Sequence, residues 1–501
     1  MRCSWVVLGL GSLLVLGCTV GPDYQPPALA VPERWQAAPP NAEPNTLTAQ
    51  WWQTFNDPIL NQLINEAAAS NLDLQQALAR VKDARAQRVA IFAGALPSVT
   101  AKSNVSRRLN NSSSSAQTGS ASGGFGVGNQ LINLFQSGFD AQWELDLFGG
   151  SKRTAESADA TLEAEIESSR AVWVSLLAEV AENYIELRAN QSLLTMTQAM
   201  LSLQQETADL MQVRQHAGLS NSLEVIQAQA QLASTEAQRF VYERDIQLGI
   251  HTLSVLLGKA PNNLATRLAS ARPIPSVAHF SLAELPSELL KRRPDIRRAE
   301  RQLAASSAAI GMATVELYPK LNLSAFLGLQ NMRLTDVTPL GKSWSTAASI
   351  SMPIFNWGRL KANIKSKEAQ AEAALFAYQS VVLDAFKDVE DALVAHSKEL
   401  NRQQSLQQAV DANRLAVQLA NERYQKGLTG FIDVLQSQQA LFQAETALIG
   451  SQATLSSKML ALYKALGGGW QTVAKLNDCT ECDKSWAEHI RDAANAIPRF
   501  K

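Results

Sequence analysis

The cysteines are the residues of this sequence best suited to covalent chemistry. Cys18 ends the run Val15-Leu16-Gly17-Cys18, behind Arg2 and an apolar stretch from Trp5 to Leu16. That stretch is too short to span a bilayer as a helix and has the layout of a secretory signal. A small residue directly before Cys is the pattern at which such a signal is cut and the freed Cys is acylated on its thiol and amine. Cys18 is therefore the expected first residue of a lipidated mature chain. Thr19 stands where a retention signal would place Asp, so the outer membrane is the expected destination by the bacterial sorting pattern. Cys479 and Cys482 form a C-x-x-C in "NDCTECDKSW". With no second ligand pair they do not make a zinc site. A local disulfide in an oxidising compartment is one reading of the pair. A redox-active couple is the other, although no βαβ pattern surrounds it.

The remaining composition points away from catalysis. The five histidines are scattered, form no metal-spaced pair, and accompany no Gly-rich phosphate loop. Neither enzymatic activity nor a cofactor is expected. Lys plus Arg number 45 against 46 Asp plus Glu, so no bulk charge recruits nucleic acid.

What the sequence does contain is a duplication. "RQHAGLSNSLEVIQAQAQLASTEA" (Arg214 to Ala237) returns as "RYQKGLTGFIDVLQSQQALFQAET" (Arg423 to Thr446), at a constant offset of 209 residues. Gly218 falls on Gly427, Glu224 on Asp433, Gln227 on Gln436. Upstream, Asp73, Ala86 and Pro97 match Asp295, Ala308 and Pro319 at an offset of 222. Each copy reads helix, strand, loop, strand, long helix, corner, helix. A repeat of this length defines the architecture before any motif does.

The helices are too long for a globular domain. Ile166, Trp173, Val180, Leu187, Leu194, Leu201 and Ala208 recur every seven residues, a coiled-coil signature. Neither Pro nor Gly interrupts Ser151 to Ala217, which is about 100 Å of helix at 1.5 Å per residue. Gly218 and Gly427 stop these helices, because Gly accepts the left-handed conformation. Ser220 or Asn221, and Thr429 or Gly430, then cap the returning helices. Each corner is the turn of a long helical hairpin.

The strands alternate. Phe139, Ala141, Trp143, Leu145 and Leu147 interleave with Asp140, Gln142, Glu144 and Asp146. Trp344, Ala348, Ile350, Met352 and Ile354 interleave with serines. Leu321, Leu323, Leu327 and Leu329 alternate with polar residues, Phe326 excepted, and Val99, Ala101 and Val105 do so more weakly. An ordinary half-buried sheet would account for any one of them. Four together, after a lipoprotein signal, read as transmembrane strands with lipid outside and water inside. Four strands cannot close a barrel, and an open edge in lipid leaves backbone groups unpaired, so chains must associate. The loops Asn110 to Asn133 and Asn331 to Lys342 then face the exterior.

At this point the chain resembles the TolC-like outer membrane factor lipoproteins of resistance-nodulation-division efflux systems. "CTVGPDYQPP", "LLKRRPDIRRAERQLAAS", "YPKLNLSA" and "PIFNWGRLKA" carry the resemblance, from Cys18 to about Trp470. It implies an internally duplicated α+β membrane protein. Four transmembrane strands per protomer contribute to a twelve-stranded barrel in a homotrimer, continued by a long periplasmic coiled-coil barrel. A periplasmic adaptor and an inner-membrane pump are the implied partners, with outer-membrane lipid. The alternative function is the exit channel of a type I protein secretion system.

The resemblance also implies a constriction just after the second corner, at Tyr424, Phe431, Ile432, Asp433 and Gln436. Gln436 stands where many relatives have Asp, and Thr429 where some have Arg, which removes an Asp–Arg lock. Asp433 reads either as a solvated helix residue or as a pore-facing one. The first corner, with Glu224, is expected to pack outside the second. The expected divisions are a signal peptide (1–17), a lipidated segment (18–57), a first repeat (58–258), a linker (259–281), a second repeat (282–468) and a tail (469–501).

Overall fold

The structure, a computed structural model, describes residues 19–36, 50–110, 130–277, 286–331 and 342–472. Cys18, Cys479, Cys482 and most of the two strand-connecting loops lie outside these. The chain falls into two compact units. One comprises Met1–Pro27, Lys82–Glu163 and Glu300–Phe376; the other comprises Ala28–Val81, Ala164–Ala299 and Ala377–Lys501.

The elements run α1 (Pro58–Ser70), α2 (Leu72–Gly94), β1 (Ser98–Asn110), β2 (Gln130–Leu145), α3 (Gly150–His216), α4 (Ser222–Leu256), α5 (Ala265–Leu268), α6 (Pro286–Arg292), α7 (Pro294–Val315), β3 (Lys320–Asn331), β4 (Lys342–Ser351), α8 (Arg359–Gln425) and α9 (Phe431–Ala465). Helices α3 and α8 are both 67 residues long, and α4 and α9 both 35. Every one of their boundaries repeats at the 209-residue offset seen in the sequence.

The strands form one antiparallel sheet in the order β1-β2-β3-β4, so β2 and β3 join the two copies of the repeat. Register places Val99 beside Ala141, Phe139 beside Leu327, and Leu327 beside Trp344. One face therefore carries Val99, Val105, Phe139, Leu327, Trp344 and Ile350, all exposed in the protomer. The opposite face carries Thr100, Asn104, Gln142, Ser324 and Ser349, and an ion pair between Lys102 and Asp140 at 3.3 Å. An exposed apolar face of this extent has no stable place in water.

Phe326, which broke the alternation, lies on the polar face yet is only 8% exposed. Its ring covers Gly138 and Gly328, which are cross-strand partners. A Cβ on either glycine would come within 2.8 Å and 2.7 Å of that ring. The aromatic substitutes for the side chains the glycines lack.

The helical core of the second unit gathers Trp51, Leu60, Leu63, Ile64, Leu177, Tyr184, Ile250 and Leu253, all essentially buried. Within α3, the heptad residues Trp173, Val180, Leu187 and Ala208 are buried, and Ile166, Leu194 and Leu201 half-buried. Asp57 caps α1 by accepting from the Ile59 and Leu60 amides. Its second oxygen accepts from the Tyr184 hydroxyl at 2.7 Å. Burial first, and the Asp57 carboxylate second, push the Tyr184 hydroxyl up to about 12.

The Arg-Arg-Pro-Asp stretch begins α7 with Pro294 at its first position and Asp295 in its first turn. Arg293 clasps that carboxylate with two bonds, 3.0 and 2.6 Å, and reaches Asp388 at 3.0 Å and the Ala465 carbonyl at 3.1 Å. The motif is thus a junction between helices far apart in the chain.

Candidate functional site at the hairpin corners

Each long helix stops by the same mechanism. Gly218 has φ +73° and Gly427 φ +68°. The Leu219 amide donates to the Arg214 carbonyl at 2.8 Å and Gly218 to Gln215 at 2.9 Å; Leu428 to Arg423 and Gly427 to Tyr424 repeat the pair. Both corners are Schellman turns. The returning helices differ at their caps. Asn221 accepts from the Glu224 amide at 3.0 Å, whereas Gly430 offers no side-chain bond. Glu224 also accepts from the Ser220 hydroxyl at 2.5 Å.

The two corners share a core. Met211, Val225 and Ala228 from the first hairpin pack with Phe431, Val434 and Leu435 from the second. Tyr424 seals one side: its ring lies 5.6 Å from Phe431, its hydroxyl donates to Met211 Sδ at 3.4 Å, and the Arg214 guanidinium sits 5.0 Å above its face. Burial raises the Tyr424 hydroxyl pKa, the Glu224 charge adds to this, and Arg214 opposes it.

Phe431 takes a different place from its neighbours on α9. It is 1% exposed within a single protomer, and its ring fills the core of the corner. The reason is helix phase: α9 turns Phe431, Val434 and Leu435 inward and leaves Ile432, Asp433 and Gln436 on the solvent face. Ile432 is 45% exposed despite being apolar. Tyr424 is half-buried and Thr429 half-buried beside the turn. The contacts of Met211 and Arg214 with Tyr424 were not read from the sequence, because they join residues about two hundred positions apart. Cys18 lies outside the described residues, but the segment after it is latched. Arg153, itself 3% exposed, donates to the Val20 and Gly21 carbonyls at 3.2 and 3.1 Å and to Asp23 at 2.7 Å. Gly21 lies so close to Gly311 that a Cβ would approach its Cα to 2.5 Å.

Comparison with known proteins fits this geometry. The family of outer membrane efflux proteins matches residues 63–259 and 285–468, one stretch in each repeat. The solvent efflux pump outer membrane protein SrpC of Pseudomonas putida is 33% identical over 476 residues, covering 92% of this chain and 98% of that protein. The pyoverdine export outer membrane protein OpmQ of Pseudomonas putida is 34% identical over 464 residues, covering 92% and 96%. Among solved structures, the outer-membrane channel OprN superposes with a TM-score of 0.84 at 34% identity, covering 91% of this chain and all of that one. The exposed apolar face of the sheet is accordingly a lipid face. Four strands from each of three protomers make a twelve-stranded barrel in the outer membrane, and the long hairpins make a helical barrel in the periplasm. With both repeats matched, the sheet edges accounted for and the relatives aligned nearly end to end, the chain belongs to the outer membrane efflux protein family and serves as the exit duct of an efflux system.

Proposed function

We propose that this duct carries small toxic compounds handed over by an inner-membrane resistance-nodulation-division pump through a periplasmic adaptor. The relatives are named for the export of solvent and of pyoverdine, small molecules both, which supports this cargo over a secreted polypeptide. The duct performs no bond chemistry of its own. Its closure lies at the second corner, where Ile432, Asp433 and Gln436 ring the passage in three copies and Tyr424 and Phe431 brace them from behind. The observation that carries this is the segregation on α9: two polar side chains and one exposed isoleucine on one face, a packed core on the other.

A ring of three Asp433 carboxylates concentrates negative potential and favours cations. Asp433→Ala is expected to lower cation preference in single-channel recordings, and Ile432→Ala to raise conductance. Glu224→Ala, on the first corner, is expected to do much less to either. Opening by Glu224→Ala alone, with the other two silent, would reverse the assignment of inner and outer corners.

We further propose that Cys18 is the acylated first residue of the mature protein. Intact mass of the wild type should exceed the unmodified chain from Cys18 by its acyl groups, and Cys18→Ser should lose that excess while trimers persist. A wild-type mass equal to the unmodified chain would refute the anchor. Barrel burial already holds the protein in the membrane, so the acyl chains supplement it.

A further inference from the structure

We infer that a cavity in the second unit is a binding site for a small uncharged molecule, one with an apolar body and groups that both donate and accept hydrogen bonds. The cavity lies between α3, α8, α9 and the stretch Pro273 to Val277 of the inter-repeat linker, and holds about 320 Å3. That volume suits a molecule of one or two rings. Nothing in it depends on which cargo the duct carries.

The duplication marks the cavity out. The 209-residue offset carries the α3 heptad onto α8, where Val382, Val389, Val410 and Val417 keep it apolar and buried. The two positions between Val389 and Val410 depart from it: Leu187 falls on His396 and Leu194 on Gln403. Leu187 is 1% exposed in the main core and Leu194 packs against that core, whereas His396 and Gln403 line the cavity. A polar residue in a heptad seam costs stability and is kept for register or for function. A register device would pair its polar groups. Among the described residues, the side chains of His396, Gln403, Gln452 and Ser276 make no hydrogen bond, although all four line the cavity.

The walls are held in place. Ser456 donates to the Pro275 carbonyl at 2.6 Å, and Ile274 and Val277 pack on the core. Upstream, Arg188 donates to the Ser270 carbonyl and Gln191 to the Leu268 carbonyl, both at 2.7 Å. Leu455 and Met459 add apolar surface. No charged side chain of the described residues lines the cavity. Charged neighbours of the lining positions are Arg188 on α3, Arg272 on the linker, Lys398, Glu399 and Arg402 on α8, and Lys458 on α9. Arg188 is turned to Ser270 and Gln191, and Glu399 to Arg402 and Ser451. An ion entering here would lose water without gaining a counter-charge, whereas an uncharged molecule can satisfy the unpaired amides. Burial pushes the His396 imidazole below its ordinary value, so at neutral pH the ring both donates and accepts. Acid makes it an imidazolium that only donates, with no carboxylate in the lining to receive it.

Equilibrium dialysis of 1-naphthol, which stays uncharged between about pH 5.5 and about pH 7.5, tests the site. Full-length trimers in lipid nanodiscs are dialysed against empty nanodiscs of the same lipid. Wild type should retain probe beyond the lipid control, and should bind it about threefold more weakly at the acid end. Gln452→Trp and Ser276→Trp, which fill the cavity from α9 and from the linker, should each weaken binding about tenfold. His396→Leu should weaken it about threefold at neutral pH and abolish the acid response. Should one filled variant fail to give trimers by native mass, the other and the His396→Leu titration still decide. No retention by wild type above the lipid control, or retention by a trimeric filled variant equal to wild type, would overturn the site. An acid response in His396→Leu equal to that of wild type would overturn the part given to the imidazole.

Discussion

Phe431→Ala will loosen the two hairpin corners together. The side chain is 1% exposed, and its ring contacts Tyr424 in a core shared with Met211, Val225, Val434 and Leu435. Truncating a buried Phe costs about 3–5 kcal/mol, part from lost burial and part from the void left behind. Here the loss is local, because this core sits at the far end of helices held along their length by other contacts. Hydrogen exchange should therefore accelerate at the two corners, around residues 208–228 and 431–438, while the core around Trp51 and Tyr184 keeps its protection. Conductance should rise as well, since the face bearing Ile432 and Asp433 loses its backing. Phe431→Leu should lie between wild type and Ala. Unchanged exchange in Phe431→Ala, with altered conductance, would return Phe431 to the passage wall.

Arg293→Ala should destabilise the helical core. The guanidinium is 11% exposed and holds Asp295, Asp388 and the Ala465 carbonyl at once. Asp295 and Asp388 keep 32% and 47% of their side-chain surface exposed, so losing these charge-assisted bonds costs about 1.5–3 kcal/mol, less than breaking a fully buried pair. The same network sets an acid dependence. Burial alone would raise the Asp295 pKa, but the two Arg293 bonds, its charge and the Ile296 amide outweigh burial and hold it below the ordinary carboxylate value. A depressed folded pKa contributes stability that is complete above the unfolded value and is lost as pH falls through the folded one. The wild-type melting temperature should thus fall as pH drops below about 4. In Arg293→Ala the carboxyl loses its stabiliser and burial prevails, so protonation of Asp295 favours the folded state and the deficit relative to wild type should narrow as pH falls. A melting temperature for Arg293→Ala equal to wild type across this range would remove the clasp from the stability of the fold.

Much of the architecture was legible because it was written twice. Offsets of 209 and 222 mark the repeat and match its corner glycines in the sequence alone. Strand alternation identified the lipid face, and its exception, Phe326, had a cause two strands wide that no single strand displays. The candidate site was legible only to the level of the helix turn. Ile432 and Phe431 are adjacent in sequence and opposite in environment, and hydropathy favours neither as the buried one. Which faces inward depends on where Met211 and Val225 stand, and those belong to the other repeat. In the sequence Arg293 stands directly before Pro294 and the start of α7. Its partners Asp388 and Ala465 lie 95 and 172 residues away, so the sequence around it contains no sign of the clasp.

The latched segment after Cys18 sets an order of assembly. Tyr24 donates to Glu300 across 276 residues, and Gly21 nests against Gly311. At roughly 5–20 residues per second of synthesis, those docking partners emerge about 14–55 s after the segment itself. The segment thus waits for the start of the second repeat before it can dock. A chain truncated before α7 would keep this segment loose and open to proteases, so closure of the latch reports that synthesis has passed the first repeat and entered the second.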